Sequence, residues 1–167
     1  TKKSTVVAIC ADTSERLIDY SKRFDVKIYA NWKKMLKQEK PDAVAIAVPP
    51  RVQYQIATYA LTHNIAVFAE KPLTASLNDS LRLFKLAQKT KLPNMIDFIF
   101  PEIAEFVKAK KVLSENIIGK IDYLTMEWNF LSYDLRNAIT SWKTDIAEGG
   151  GALSFFFSHV FYYLEYF

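Results

Sequence analysis

Two short stretches hold side chains suited to moving protons. The first is Ala69-Glu70-Lys71-Pro72-Leu73, where an apolar run stops at a charged pair and a proline. A lysine at a strand's carboxyl end, beside a proline that fixes the exit of the chain, is held in a cleft. Partial loss of water lowers its pKa toward neutrality, so that it can exchange a proton with a hydroxyl. The same residues also suit a surface Glu-Lys pair before a turn. The second stretch is Glu148-Gly149-Gly150-Gly151, followed by an aromatic segment that carries His159 between Phe157 and Phe161. An imidazole titrates near neutral pH, yet a lone histidine among aromatics equally serves as a satisfied core residue. The glycine run lets a backbone approach a ligand closely just ahead of that histidine, or acts as a flexible turn.

Positioning such groups requires elements on either side. Thr5 to Cys10 and Asp42 to Val48 are apolar runs without alternation, and Ile65 to Ala69 is a third that ends at Glu70. They read as strands buried on both faces of a parallel sheet. Helical spacing lies between them: Leu17, Tyr20 and Phe24 after a Thr13/Ser14 cap, Val52, Ile56 and Ala60, then Leu77, Leu81 and Phe84 after Ser76. Alternation of strand and helix predicts an α/β fold with a doubly wound parallel sheet, whose ligands bind beyond the carboxyl ends of the strands. Asp12, Val48-Pro49-Pro50 and Glu70-Lys71-Pro72 stand at three such ends. Each taken alone is also ordinary turn chemistry.

The character changes after Asn94. Met95 to Phe100 reads as a further strand, Glu102 to Glu115 as a helix, and Ile121 to Phe130 as a strand with one wet face. A second domain is expected to begin here, dividing the chain into residues 1–96 and 97–167. The stretch from Ala152 to Phe167 is apolar on nearly every side, as a helix buried all round would be. That reading makes the chain a fragment whose remaining residues supply the cover. A membrane-surface helix would carry Lys or Arg, and this one has Glu165 alone.

Composition narrows the classes. The 22 Lys+Arg against 18 Asp+Glu leave +4, but the lysines are scattered, which suits a solvated basic surface and not a nucleic-acid footprint. The single cysteine, Cys10, lies in an apolar run, as a buried thiol in a reducing compartment does, and the expectation is a soluble, cytoplasmic protein with no membrane span. Two histidines and one cysteine give no metal-ligand spacing, and no serine nucleophile is supported. Trp32, Trp128 and Trp142 read as core or interface aromatics. Only 4 glycines occur, none before Gly119.

The stretch from Val48 to Leu73, with its Pro-containing turn, helix and Glu-Lys-Pro, resembles the Gfo/Idh/MocA family of NAD(P)-dependent oxidoreductases. The likeness continues through Ile118-Gly119-Lys120-Ile121, Trp142-Lys143-Thr144-Asp145, Glu148 to Leu153 and His159. The resemblance implies that residues 1–96 are part of a Rossmann-like dinucleotide-binding domain and that residues 97–167 begin an α+β substrate and oligomerisation domain. It implies hydride transfer between NAD or NADP and a sugar, inositol or related polyol, by a protein that forms a homo-oligomer when full length. In that reading Lys71 orients or deprotonates the reacting hydroxyl and His159 is its partner. Val48, Pro49, Pro50, Glu70 and Lys71 line the nicotinamide side of the cleft, and Asp12 lies where a carboxylate meets the adenosine ribose. Ala11 takes the usual acidic position, however, and Arg16 could meet a 2′-phosphate, so NAD and NADP both stay open.

Three departures bear on this expectation. The glycine-rich phosphate loop is absent from these residues, so the chain by itself should bind dinucleotide poorly. The aspartate usual four residues before the histidine is Phe155, and the histidine often found after the Pro-containing turn is Gln53. Phe155 favours an alternative in which the fold binds dinucleotide or sugar as a sensor, without catalysis.

Overall fold

A computed structural model describes residues 4–99, 102–129 and 131–167. Its first part alternates strand and helix: β1 (Ala8–Cys10), α1 (Ser14–Arg23), β2 (Lys27–Tyr29), α2 (Trp32–Glu39), β3 (Ala43–Ile46), α3 (Pro50–Thr62), β4 (Ala66–Glu70), α4 (Leu77–Thr90) and β5 (Asn94–Asp97). Every strand pair is parallel, in two ladders: β1 with β2, and β3-β4-β5 with β4 in the middle. The expected α/β architecture is therefore present. Helix starts follow their caps, with Thr13 Oγ1 accepting from Arg16 N–H at 3.3 Å, Asn31 Oδ1 from Lys34 N–H at 2.9 Å and Ser76 Oγ from Asp79 N–H at 3.2 Å. α3 instead begins on Pro50, whose fixed φ suits a first helical turn and whose missing N–H costs nothing there.

The core lies where α3 crosses the larger ladder. Val44 and Ile46 of β3 and Val67 and Ala69 of β4 meet Ile56, Ala57, Ala60 and Leu61 of α3, with Leu36 and Leu83 closing the sides. Ala57 and Ala60 are wholly buried, and their small side chains let the helix lie close to the sheet.

Several expectations need correction. The apolar runs are buried on one face only: Phe68 is 41% and Met95 62% exposed, because no described helix covers that side of the ladder. β1 starts at Ala8, leaving Val6 and Val7 exposed outside the ladder. Residues 121–129 form no strand: alternation alone makes none without a neighbour to pair with, and Ile121, Tyr123 and Leu124 are exposed. Phe100 and Phe130, the ends of two expected strands, lie outside the described residues. The Glu102–Glu115 helix is α5 (Ala104–Ser114), followed by the short α6 (Tyr133–Arg136). The apolar segment from Ala152 is not one helix buried all round. It is a π-helical turn over Ala152–Phe157 that passes into α7 (Ser158–Tyr166), with His159 and Tyr163 buried while Leu153, Phe157 and Phe161 face outward. β2 and α2 carry no sequence expectation; the first is three residues long and the second buries only Leu36.

Candidate functional site

The chain leaves β4 at Glu70 and turns through Lys71 and Pro72, which are joined by a cis peptide bond. One buried amide holds this turn. Gln53, on the first turns of α3, is 1% exposed, and its Nε2 donates to the carbonyls of Glu70 at 2.6 Å, Pro72 at 3.0 Å and Leu73 at 3.0 Å. Gln53 Oε1 is buried and without a partner among the described residues. These bonds tie the backbone on both sides of Lys71 to α3, so this side chain fixes the course of the chain there.

Lys71 reaches across to the C-terminal segment. Its Nζ donates to the Phe155 carbonyl at 2.8 Å and sits 3.7 Å from the centre of the Phe155 ring. Four residues further along, His159 is 5% exposed, with the rings of Phe98 at 5.6 Å and Trp128 at 5.7 Å. The Lys71 charge lies near enough to act on the His159 ring. Burial lowers the Lys71 ammonium from its usual value; Glu70 acts against that and Lys143 adds to it. Burial, with help from the Lys71 charge, pushes His159 down to about 4, so at neutral pH its ring is uncharged. Tyr163, one turn beyond, is pushed up to about 12 by burial and stays a phenol.

The glycine run explains how the C-terminal segment gets so close. A Cβ on Gly150 would fall 2.0 Å from the Trp142 carbonyl oxygen, and one on Gly149 would fall 2.8 Å from Cα of Ala75. The close approach anticipated at these glycines is made by the chain's own loops. Arg51 at the start of α3 completes the joint, pairing with Glu148 at 3.0 Å and donating to the Ala147 carbonyl at 3.1 Å.

The other expected site residues are dispersed around this centre. Glu70 follows directly on β4, and its Oε2 accepts from the Lys71 N–H at 3.2 Å. Pro49 is exposed and its carbonyl starts α3; Pro50 is buried, with Gly149 against it; Val48 packs on the core. Asp12 lies beyond β1, exposed and paired with Arg16 at 3.2 Å, on the other ladder. Sequence reasoning noted Gln53 only as a departure and did not assign it a task; its position three residues into a helix that starts on Pro50 was the available signal.

Residues 1–98 match the family described as an oxidoreductase family with an NAD-binding Rossmann fold, GFO/IDH/MocA. The chain belongs to this family. As a GFO/IDH/MocA member it is 29% identical over 138 residues to an uncharacterized oxidoreductase of Synechocystis, sll0816, covering 83% of this chain and 37% of that protein. The chain therefore spans well under half the length of that relative. Among solved structures, myo-inositol 2-dehydrogenase from Lactobacillus plantarum superposes with a TM-score of 0.67 at 28% identity, over 70% of this chain and 35% of that one. The WlbA dehydrogenase from Bordetella pertussis, solved with NADH and UDP-GlcNAcA, has the same fold, with a TM-score of 0.79 at 20% identity over 96% of this chain and 50% of that one. No helix among the described residues is long and apolar enough to cross a membrane, and those residues contain no cluster of three or more His, Cys, Asp or Glu that could hold a metal.

Proposed function

We propose that the full-length protein is a dehydrogenase or reductase that passes a hydride between a carbon of a sugar or polyol and NAD or NADP. One observation carries this reading: a half-buried amine at the carboxyl end of a Rossmann strand is held 2.8 Å from the carbonyl of Phe155, within electrostatic reach of a buried neutral imidazole. Likeness to an inositol dehydrogenase supports the substrate class. In this reading residues 1–96 belong to the dinucleotide domain and residues 97–167 open the substrate domain.

The strand ends fit the nicotinamide portion of the cofactor. Exposed Pro49 and half-buried Glu70 and Lys71 follow adjacent parallel strands, and Gln53 Oε1 is a buried acceptor still without a donor. No residue here offers a glycine loop for the pyrophosphate. When bound, the cofactor accepts or returns the hydride. The chain's own part is to hold the proton: Lys71 takes it from the substrate hydroxyl as the C–H bond breaks, and the uncharged His159 receives or returns it. Burial serves both, because it lowers the Lys71 pKa and limits competing water.

In a panel of sugars and polyols followed by reduced-cofactor absorbance, the full-length protein turns over at least one. Lys71→Ala abolishes that turnover and leaves cofactor affinity close to wild type. Wild-type turnover by the variant overturns the assignment. Phe155, standing where the family's usual pattern has an aspartate, supports a second reading, a binding protein without catalysis. Cofactor binding with no turnover of any sugar in the panel would favour it.

A further inference from the structure

Lys71 is a half-buried cation without a counter-ion. Among the described residues no carboxylate lies within ion-pair distance of its amine. Glu70 accepts from the Lys71 backbone N–H at 3.2 Å, Asp145 caps a short turn through Ala147 N–H at 2.8 Å, and Glu148 pairs with Arg51 at 3.0 Å. His159 is uncharged at neutral pH, and Lys143, 5.9 Å from the centre of the Phe155 ring, brings a further positive charge. One residue, used twice, holds the ammonium: the Phe155 carbonyl at 2.8 Å and the centre of its ring at 3.7 Å. Both parts are fixed by their surroundings. The carbonyl belongs to the π-helical turn Ala152–Phe157, where the Ser158 N–H reaches back to the Leu153 carbonyl; turns of that width are rare and recur at functional sites. The ring meets Trp142 and Phe156 at 5.6 and 4.7 Å between centres and at 77° and 86°, which leaves a face for the amine.

We propose that Phe155 is the positioning residue for Lys71, its carbonyl fixing where the amine sits and its ring face holding the charged form in place of a counter-ion. The inference rests on the hydride-transfer reading of the same site. A carbonyl accepts a hydrogen bond from an ammonium and from a neutral amine alike, so it aims the nitrogen in both protonation states. The ring acts on the charge, because its electron-rich face attracts a cation. A carboxylate in contact would favour the ammonium by about one to three pH units, and a partly desolvated ring by about one. A lysine that takes a proton from a hydroxyl must first be neutral, and the ring holds it while leaving its own proton easier to lose than an ion pair would. Phenylalanine at this position is then a working part of the proton relay.

The test follows the ε-carbon NMR resonance of Lys71 against pH in the full-length protein, assigned by its loss in Lys71→Arg. Wild type is compared with Phe155→Leu, with Phe155→Tyr and with pentafluorophenylalanine at position 155, which keeps a ring but reverses the charge of its face. The leucine and the fluorinated ring are expected to lower the Lys71 midpoint by about one pH unit, and Phe155→Tyr to keep it. In turnover that oxidises an alcohol, the acidic limb of kcat/KM moves down by the same step, since Lys71 works there as the base. A midpoint that the fluorinated ring leaves unmoved overturns the proposal, whether or not the leucine variant folds. So does a midpoint that falls as far in Phe155→Tyr as in Phe155→Leu. The two levels separate by turnover. Midpoints that shift as stated, in a protein that reduces its cofactor with no sugar or polyol, keep the hold on Lys71 and remove the dehydrogenase. Turnover with a midpoint and an acidic limb indifferent to the ring keeps the dehydrogenase and removes the proposal.

Discussion

Replacing Gln53 by leucine removes the only side-chain donor among the described residues to the carbonyls of Glu70, Pro72 and Leu73 while nearly keeping the volume. The amide has two hydrogens for three oxygens, so it makes about two full hydrogen bonds, and losing them strands two acceptors at about 1.5 kcal/mol each. Against this, the change also removes the unpartnered Oε1, returning about 1 kcal/mol. The balance is a destabilisation of about 2 kcal/mol, which lowers the melting temperature by roughly 4–8 °C in a domain of this size. The larger effect is on chemistry, because the same three bonds aim Lys71, and a misplacement of about 1 Å can cost on the order of a hundredfold in rate. Gln53→His keeps one donor and should recover part of both losses. The measurement pairs a thermal melt with kcat for the full-length protein. A leucine variant that melts within about 1 °C of wild type and turns over at the same rate would refute the reasoning.

Two further outcomes follow from the geometry. His159 has a folded-state pKa of about 4 against an ordinary 6.5, so protons bind the unfolded chain more readily. Stability is full above about pH 6.5 and is lost as pH falls toward 4, by about 3 kcal/mol from this group, a loss that should be missing from the denaturant midpoints of His159→Phe. Gly150→Ala puts a methyl 2.0 Å from the Trp142 carbonyl, with no flexible side chain to yield. It should destabilise by about 3 kcal/mol in urea titration, and an unchanged midpoint would mean the loop is looser than described.

The most legible part of the sequence was the unit from β3 to β4. Asp42 to Val48 encloses β3, Ile65 to Ala69 covers β4 up to its last residue but one, and Val52, Ile56 and Ala60 lie on the helix between them. Length and periodicity suffice there because the core is local. β2 escaped notice because three residues hold no period, and residues 121–129 misled because alternation reports an extended backbone but not a neighbour to pair with. Lys71 and His159 were singled out through motif and order, and the Lys71 charge lies near enough to act on the His159 ring. What Gln53 does was not legible, since it depends on three carbonyls 17 to 20 residues away.

The joint built by Arg51, Glu148 and Gly149 ties the opening turn of α3 to the segment that leads into α7. A swing of the histidine-bearing helix away from the lysine would have to tear an ion pair and prise glycine from proline. In the proposed reading the Lys71 and His159 pair is thus in place before any ligand arrives, so stopped-flow traces should record capture followed directly by chemistry, without a slow closing phase between.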